Sequence, residues 1–68
     1  MQQIIADLTV RNTMEKEALL ESALNRAIQA ASVEQAYGVL LTRHDHTRFT
    51  VELSARVPYG RTYELDLV

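Results

Sequence analysis

The chain has 68 residues, of which 47% are hydrophobic and 24% are charged, with a formal net charge of −2 and no cysteine. This length predicts one small domain over residues 1–68, with a thin core that self-association would help to stabilise. The composition excludes disulfides, thiolate-bound zinc and a disordered chain, and the slightly acidic balance disfavours general binding to nucleic acid.

The N-terminal stretch, residues 3–10, fits two kinds of structure. Its apolar side chains alternate as they would in a strand, but Ile4, Ile5 and Leu8 also suit one turn of a helix. The sequence therefore leaves open an edge strand or a helical turn.

Residues 12–32 are predicted to form an amphipathic helix. Asn12 is a good N-cap, and Glu15 three residues later completes a capping-box pattern, although Thr13 is a rival cap. Placed at about 100° intervals, the apolar residues form a stripe that would pack on another layer. Half of the stripe is alanine, and its members are Leu19, Leu20, Ala23, Leu24, Ala27, Ile28, Ala30 and Ala31.

After the helix the apolar period changes to 2, which predicts three strands at about residues 37–43, 48–54 and 61–67. Connected by short turns, they predict an antiparallel meander. In each strand alternate side chains should face the helix, and in the last strand these are Tyr63, Leu65 and Leu67.

The first hairpin should keep the apolar side chains of its two strands on one face, because a slip by one residue would turn them all to water. One register that satisfies this sets Val39 opposite Val51, and it gives a loop of residues 44–46 or 43–47. Such loops usually hold one residue in the left-handed region, which Asp and His tolerate.

The second turn lies in Val57-Pro58-Tyr59-Gly60, which matches a type I turn with proline second and glycine fourth. The shorter hairpin register would oppose Glu52 and Glu64, and like charges directly opposed are unfavourable. A register shifted by two residues, with Thr50 opposite Glu64, is therefore favoured.

The predicted fold is thus α+β. The helix at about 12–32 packs on a three-stranded antiparallel meander, with an N-terminal edge strand or helical turn at 3–10. The sheet face away from the helix should be mostly polar and face water.

The densest cluster of reactive side chains is the predicted loop between the first two strands, where His44, Asp45 and His46 are the candidate metal ligands. Two histidines one residue apart point the same way in an extended chain and can share a metal ion. Against this, a loop is a flexible platform, and Asp45 would point away. A solvated polar turn is the preferred interpretation, with no metal or other cofactor.

Four arginines are the candidate nucleic-acid contacts. Arg43 and Arg48 flank the first loop, whereas Arg56 and Arg61 flank the second, at the opposite end of the sheet. A strand of five or six residues spans roughly 17–20 Å, so the two pairs should not merge into one stripe. Their preferred role is to keep loop ends soluble, and a nucleic-acid partner is not expected from one chain.

Several apolar side chains are candidate protein-interface residues. Tyr59 lies at the tip of the second turn, and tyrosine is favoured at interfaces, although such a ring more often folds back over the core. The other candidates are Leu40 on the outer sheet face and Leu20, Leu24 and Ile28 on the helix stripe, which by default would pack on the chain's own sheet.

Neither an enzyme nor a membrane protein is expected. Catalysis needs a nucleophile and base within hydrogen-bond reach, and the hydroxyls near the histidines, Thr42 and Thr47, lie in an open loop. No run of about 20 apolar residues occurs, and the stretch MQQIIADL lacks the features of a secretory signal, so we expect a cytoplasmic protein.

Hairpin and turn residues carry one resemblance. The run Gly38-Val-Leu-Leu-Thr-Arg-His44, followed by Phe49-Thr-Val51 and Val57-Pro-Tyr-Gly60, resembles the C-terminal half of small uncharacterised actinobacterial proteins. The resemblance covers residues 38–64. It implies a cytosolic bacterial protein and attaches no activity.

The sequence favours a small non-catalytic protein-interaction module, homodimeric and with an unknown protein partner. The alternative is a nucleic-acid-associated regulator in which a dimer brings the arginine pairs together. A metal-responsive module using His44 and His46 is a third possibility.

Overall fold

The computed structural model describes residues 3–67, in which one helix lies on a four-stranded sheet. In chain order the elements are β1 (Gln3–Thr9), α1 (Thr13–Glu34), β2 (Gly38–Arg43), β3 (Arg48–Ser54) and β4 (Thr62–Asp66). The α+β class is therefore confirmed. The sheet is mixed and four-stranded, which corrects the predicted three-stranded antiparallel meander.

Of the two alternatives for the N-terminal stretch, the strand is the one formed. β1 pairs antiparallel with β3 at one edge of the sheet, from Gln3 opposite Leu53 to Thr9 opposite Arg48. The register shifts between Ile4 and Ala6, so the ladder contains a bulge there. The predicted alternation is therefore real but interrupted once.

The helix begins as predicted. The Asn12 side chain accepts a hydrogen bond of 2.8 Å from the Glu15 N–H, which makes Asn12 and not Thr13 the N-cap. The Glu15 carboxylate accepts from the Arg11 N–H at 3.2 Å, one residue before the position that a capping box would use. At its other end the helix runs two residues beyond the predicted limit, to Glu34.

Alanine forms the contact between helix and sheet. The buried helical residues are Ala23, Ala27 and Ala31, which pack with Val39, Val51, Leu53 and Ala6 in the core. The broad predicted stripe is therefore narrower than expected. The reason is that a ridge of small side chains lets the helix approach the sheet closely, which leaves the larger residues on its flanks.

The hairpin of β2 and β3 keeps the predicted faces but not the example register. Val39 lies opposite Leu53, and Leu41 lies opposite Val51. The loop is residues 45–47, closed by a 2.9 Å hydrogen bond from the His44 N–H to the Arg48 carbonyl. Contrary to expectation, no loop residue has a positive φ.

β4 does not return beside β3. It pairs with β2 in parallel, so the sheet order is β1-β3-β2-β4. The predicted second hairpin is wrong in both its registers, because β1 already occupies the edge of β3 where a meander would place β4. The chain reaches the far side of β2 by crossing the start of that strand.

Backbone hydrogen bonds fix this crossing. The Gly38 N–H donates to the Val57 carbonyl at 2.7 Å, and the Val39 N–H donates to the Arg61 carbonyl at 3.0 Å. Val57 is only 1% exposed and anchors the loop. The turn is therefore one residue later than predicted: the Arg61 N–H donates to the Pro58 carbonyl, and Gly60 has φ 87°, as in a type II turn.

Candidate functional site

The histidines of the β2–β3 loop do not converge. The His44 Nε2 atom lies 2.9 Å from the Thr50 hydroxyl, and the His46 Nδ1 atom lies 2.9 Å from Nη2 of Arg43. Within residues 3–67 no group of three His, Asp or Glu side chains could hold a metal ion. Each ring thus has its own partner, and the geometry gives the metal hypothesis no support.

Asp45 shapes the loop. Its Oδ1 atom accepts hydrogen bonds from the Thr47 N–H (2.8 Å), the Thr47 hydroxyl (3.0 Å) and the Arg48 N–H (2.8 Å). The backbone hydrogen bond from Thr47, followed by that from its hydroxyl, holds the pKa of the Asp45 carboxyl below its ordinary value. This carboxylate therefore acts as a turn-forming acceptor and makes the left-handed residue unnecessary.

The two arginines next to this loop are paired with carboxylates. Arg48 donates to both carboxylate oxygens of Asp7, at 3.2 and 2.9 Å, and these hydrogen bonds lower the pKa of Asp7 and raise that of Arg48. Arg43 lies 3.5 Å from Asp66. Since Arg43 opposes Phe49 on the helix side and Arg48 is on the other side, the pair does not share a face.

The other two candidate arginines, Arg56 and Arg61, are exposed in the loop between β3 and β4. That loop crosses the start of β2, whereas Arg43 ends the same strand. The predicted separation into two distant pairs is therefore present. These four cations do not line one continuous groove for a phosphate backbone.

The helical interface candidates behave in two ways. Leu20 and Leu24 are partly buried and pack against the chain's own core, whereas Ile28 is 54% exposed. Ile28 and Tyr59 both line a groove of about 180 Å³, together with Val39. The Tyr59 side chain is 44% exposed and does not fold back over the core.

A further exposed apolar surface lies on β4, whose five residues are all exposed. Leu40 opposes Tyr63 and Thr42 opposes Leu65, so these β4 side chains face away from the helix. The predicted orientation of Tyr63, Leu65 and Leu67 toward the helix is wrong, because β4 pairs with β2 in a register that places alternate residues from Tyr63 onward on the outer face. We define the β4 surface as Leu40, Tyr63, Leu65 and Leu67.

The β4 surface is uneven in its exposure. Leu40 is 8% exposed, although no helix or second sheet within residues 3–67 covers that sheet face. Tyr63 and Leu65 are each 43% exposed, and Leu67 is 58% exposed. Leu40, which was an interface candidate from the sequence, therefore forms the buried base of this surface. Its exposed members, Tyr63, Leu65 and Leu67, were not recognised as candidates from the sequence.

The helix does not cover β4 from the other side. α1 packs on β1, β2 and β3, whereas no Cα atom of α1 lies within 8 Å of a Cα atom of β4. On that side Glu64 and Asp66 line an open groove of about 230 Å³ together with Lys16, Leu20 and Leu41. β4 is therefore open on both faces and along one edge.

Two hydrogen bonds show which backbone N–H and carbonyl groups of β4 point into that edge. The Arg61 carbonyl accepts from Val39, and the Leu67 N–H donates to the Arg43 carbonyl, so odd-numbered residues of β4 direct their backbone groups toward β2. Backbone groups alternate along a strand. The N–H and carbonyl of Thr62 and Glu64 therefore point outward, into the open edge.

Comparisons with known proteins give no further guidance: no family model, no curated protein and no solved structure matches the chain. No helix in the described part of the chain has the length and apolar character to cross a membrane.

One sequence signal was unfavourable to the predicted pairing of β4 with β3. A β3–β4 hairpin would oppose Glu52 and Glu64, and avoiding that conflict required a shifted register and a longer loop. In the structure the two carboxylates do not oppose each other, because Glu52 lies between Ile4 and Leu40 and Glu64 lies beside Leu41. A conflict of charges was thus a sign of a wrong strand partner.

Proposed function

We propose that the protein is a small non-catalytic interaction module that acts as a homodimer. The observation that supports this is β4, a strand with no buried side chain, three large apolar residues on or just beyond it, and one edge open. Exposed apolar residues that are contiguous mark interaction sites, whereas scattered ones do not.

The energetics of β4 favour a partner. In one chain it pairs with a single strand, β2. Fully burying a leucine side chain contributes about 1.5–3 kcal/mol. Leu65 and Leu67 retain much of that contribution, because both are substantially exposed. Covering them would stabilise both the strand and a small domain whose core is mainly alanine and valine.

The grooves favour interaction over catalysis. The groove of about 410 Å³ at the C-terminal end of α1 is lined mainly by apolar atoms, and its ionisable side chains are Glu34 and Tyr37. Neither is placed with a nucleophile or a second acid. The nucleic-acid alternative is disfavoured because Arg43 and Arg48 have carboxylate partners and the net charge is −2.

Sedimentation velocity between about 1 and 300 µM tests the proposal, since small interfaces are weak. We expect a reversible monomer–dimer equilibrium. Leu65→Ser should shift it toward monomer, whereas Ile28→Ser, which changes a more exposed residue on the helix, should not. A wild-type protein that remains monomeric throughout would contradict the proposal.

A further inference from the structure

We infer that the second copy adds to the open edge of β4, so that two β4 strands pair antiparallel about a two-fold axis at Tyr63 and join two sheets into one. The register rests on the proposed homodimer, but it is a separate claim about which edge and which residues meet.

Of the two sheet edges, β4 is the one suited to pairing. The ladder between β1 and β3 contains a bulge, and bulges are among the devices that keep an edge strand from pairing with another chain. The ladder between β2 and β4 is regular over its whole length. Only β4 thus combines an even edge with exposed apolar side chains.

Charge selects the orientation. Arg61 lies directly before β4, and the last residues of β4 include Glu64 and Asp66. An antiparallel pair keeps the acidic ends of the two strands apart, whereas a parallel pair would bring them to the same end.

Charge also disfavours the registers centred nearer the acidic end of β4. Centring the two-fold on Glu64 would oppose the two Glu64 side chains, and centring it on Leu65 would oppose Glu64 and Asp66. Centring it on Tyr63 places Glu64 opposite Thr62 of the second copy and Asp66 opposite Gly60, which has no side chain. Of the three, only the last avoids directly opposed carboxylates.

The backbone accepts this register. The N–H and carbonyl groups of Thr62 and Glu64 point outward. Thr62 of one copy can therefore exchange backbone hydrogen bonds with Glu64 of the second copy, and Glu64 of the first copy can do the same with Thr62 of the second. The two Tyr63 residues then form a pair that is not hydrogen-bonded, with Cα atoms about 4.5 Å apart and side chains on the face away from the helix. There the two β4 surfaces become one.

Engineered disulfides test the register, and the native chain has no cysteine to interfere. A Cα separation of about 4.5 Å permits a disulfide, so Tyr63→Cys should form a covalent dimer on mild oxidation. Leu65→Cys is the matched control, because Leu65 has the same exposure and faces the same side. In the proposed register the two Leu65 residues lie roughly 13 Å apart, too far for a disulfide.

Glu64→Pro is the second test, because proline lacks the outward N–H at position 64 but leaves the hydrogen bonds of β4 to β2 in place. We expect the variant to keep its circular dichroism spectrum and lose dimerisation, while Glu64→Ala continues to dimerise. Dimers that form in Glu64→Pro as in the wild type would overturn the inference.

The outcomes separate this inference from the proposed function. Preferential cross-linking of Tyr63→Cys together with monomeric Glu64→Pro supports the register. Preferential cross-linking of Leu65→Cys, or of Ile4→Cys on β1, overturns it while the homodimer stands. A sedimenting wild-type dimer that none of these cysteines captures also overturns it, and a wild-type monomer removes the homodimer itself.

Discussion

Gly38 is the residue around which the chain passes on its way from β3 to β4. A Cβ atom there would lie closer than 3.0 Å to the Pro58 and Arg61 carbonyl oxygens and to the Val57 side chain. Two of these three contacts are with backbone, which cannot rotate away. Glycine is therefore required at this position for space.

We expect Gly38→Ala to lower the free energy of unfolding by at least about 2 kcal/mol, because the loop must move away from β2. Urea denaturation followed by circular dichroism measures the change. Gly60→Ala is the comparison: its site has no atom within 4 Å but has φ +87°. The backbone strain of Gly60→Ala should be smaller in Gly60→Asn, since asparagine tolerates positive φ. Equal stability of Gly38→Ala and wild type would contradict the close passage of the β3–β4 loop over Gly38.

Two carboxylates make stability depend on pH. Hydrogen bonds from Arg48 to Asp7 and from Thr47 to Asp45 hold the pKa of each folded carboxyl below 3.8. The unfolded chain then binds these protons first, so the stabilisation is complete well above pH 3.8 and is lost as pH falls through the lower folded pKa values. As the pH falls below about 4, the double variant Asp7→Asn/Asp45→Asn should lose less stability than the wild type.

Urea titrations of both proteins at a series of pH values between about 2 and 7 measure this difference. Parallel curves for wild type and double variant would show that neither carboxylate contributes to acid unfolding. A steeper curve for the variant would contradict the direction of both pKa changes.

How far single residues can be predicted depends on how local their partners are. Asn12 was recognised as the N-cap because its acceptor role involves a residue three positions away. Gly38 and Val57 were not recognised, since their importance arises from a loop that folds back over a distant strand. Local sequence carries the first kind of information and lacks the second.

At the scale of elements, α1 works through its small residues. Ala23 and Ala27 have no exposed surface, and together with Ala31 they form the ridge against the sheet. A larger side chain on this ridge would push the helix away from Val51. The flanking leucines cannot compensate, because they already lie at the border of the contact.

Ala27→Leu should therefore destabilise the protein by about 1–3 kcal/mol through overpacking. Ala18→Leu is the matched control, since Ala18 is exposed on the opposite side of the same helix and should accept leucine with little change. Thermal unfolding of both variants measures the effect. An unchanged melting temperature for Ala27→Leu would mean that the ridge is not tightly packed.

The strands divide in the same way. The β2–β3 hairpin was predicted with the correct faces because its two strands are adjacent in sequence and share an apolar pattern. β4 was predicted as a strand from alternation alone, but alternation does not specify a neighbour. Its partner was decided by β1, a strand more than fifty residues earlier in the chain, and the candidate site on β4 was missed for that reason.

At the scale of the whole molecule, one edge of the sheet is irregular and the other is regular. β1 and β4 lie at opposite edges, and the bulge is on the β1 side. If both edges accepted a second copy, sheets could extend indefinitely into fibres. With only β4 available, association about a two-fold axis closes after two chains.

The crossing at Gly38 also orders the events of folding. The β2–β3 hairpin closes over a short loop, whereas β1 must reach β3 across the whole helix, and non-local pairings form more slowly. β4 can dock only after the segment before it has wrapped around β2. Refolding is therefore expected to finish with β4, so that newly made chains acquire their joining strand last.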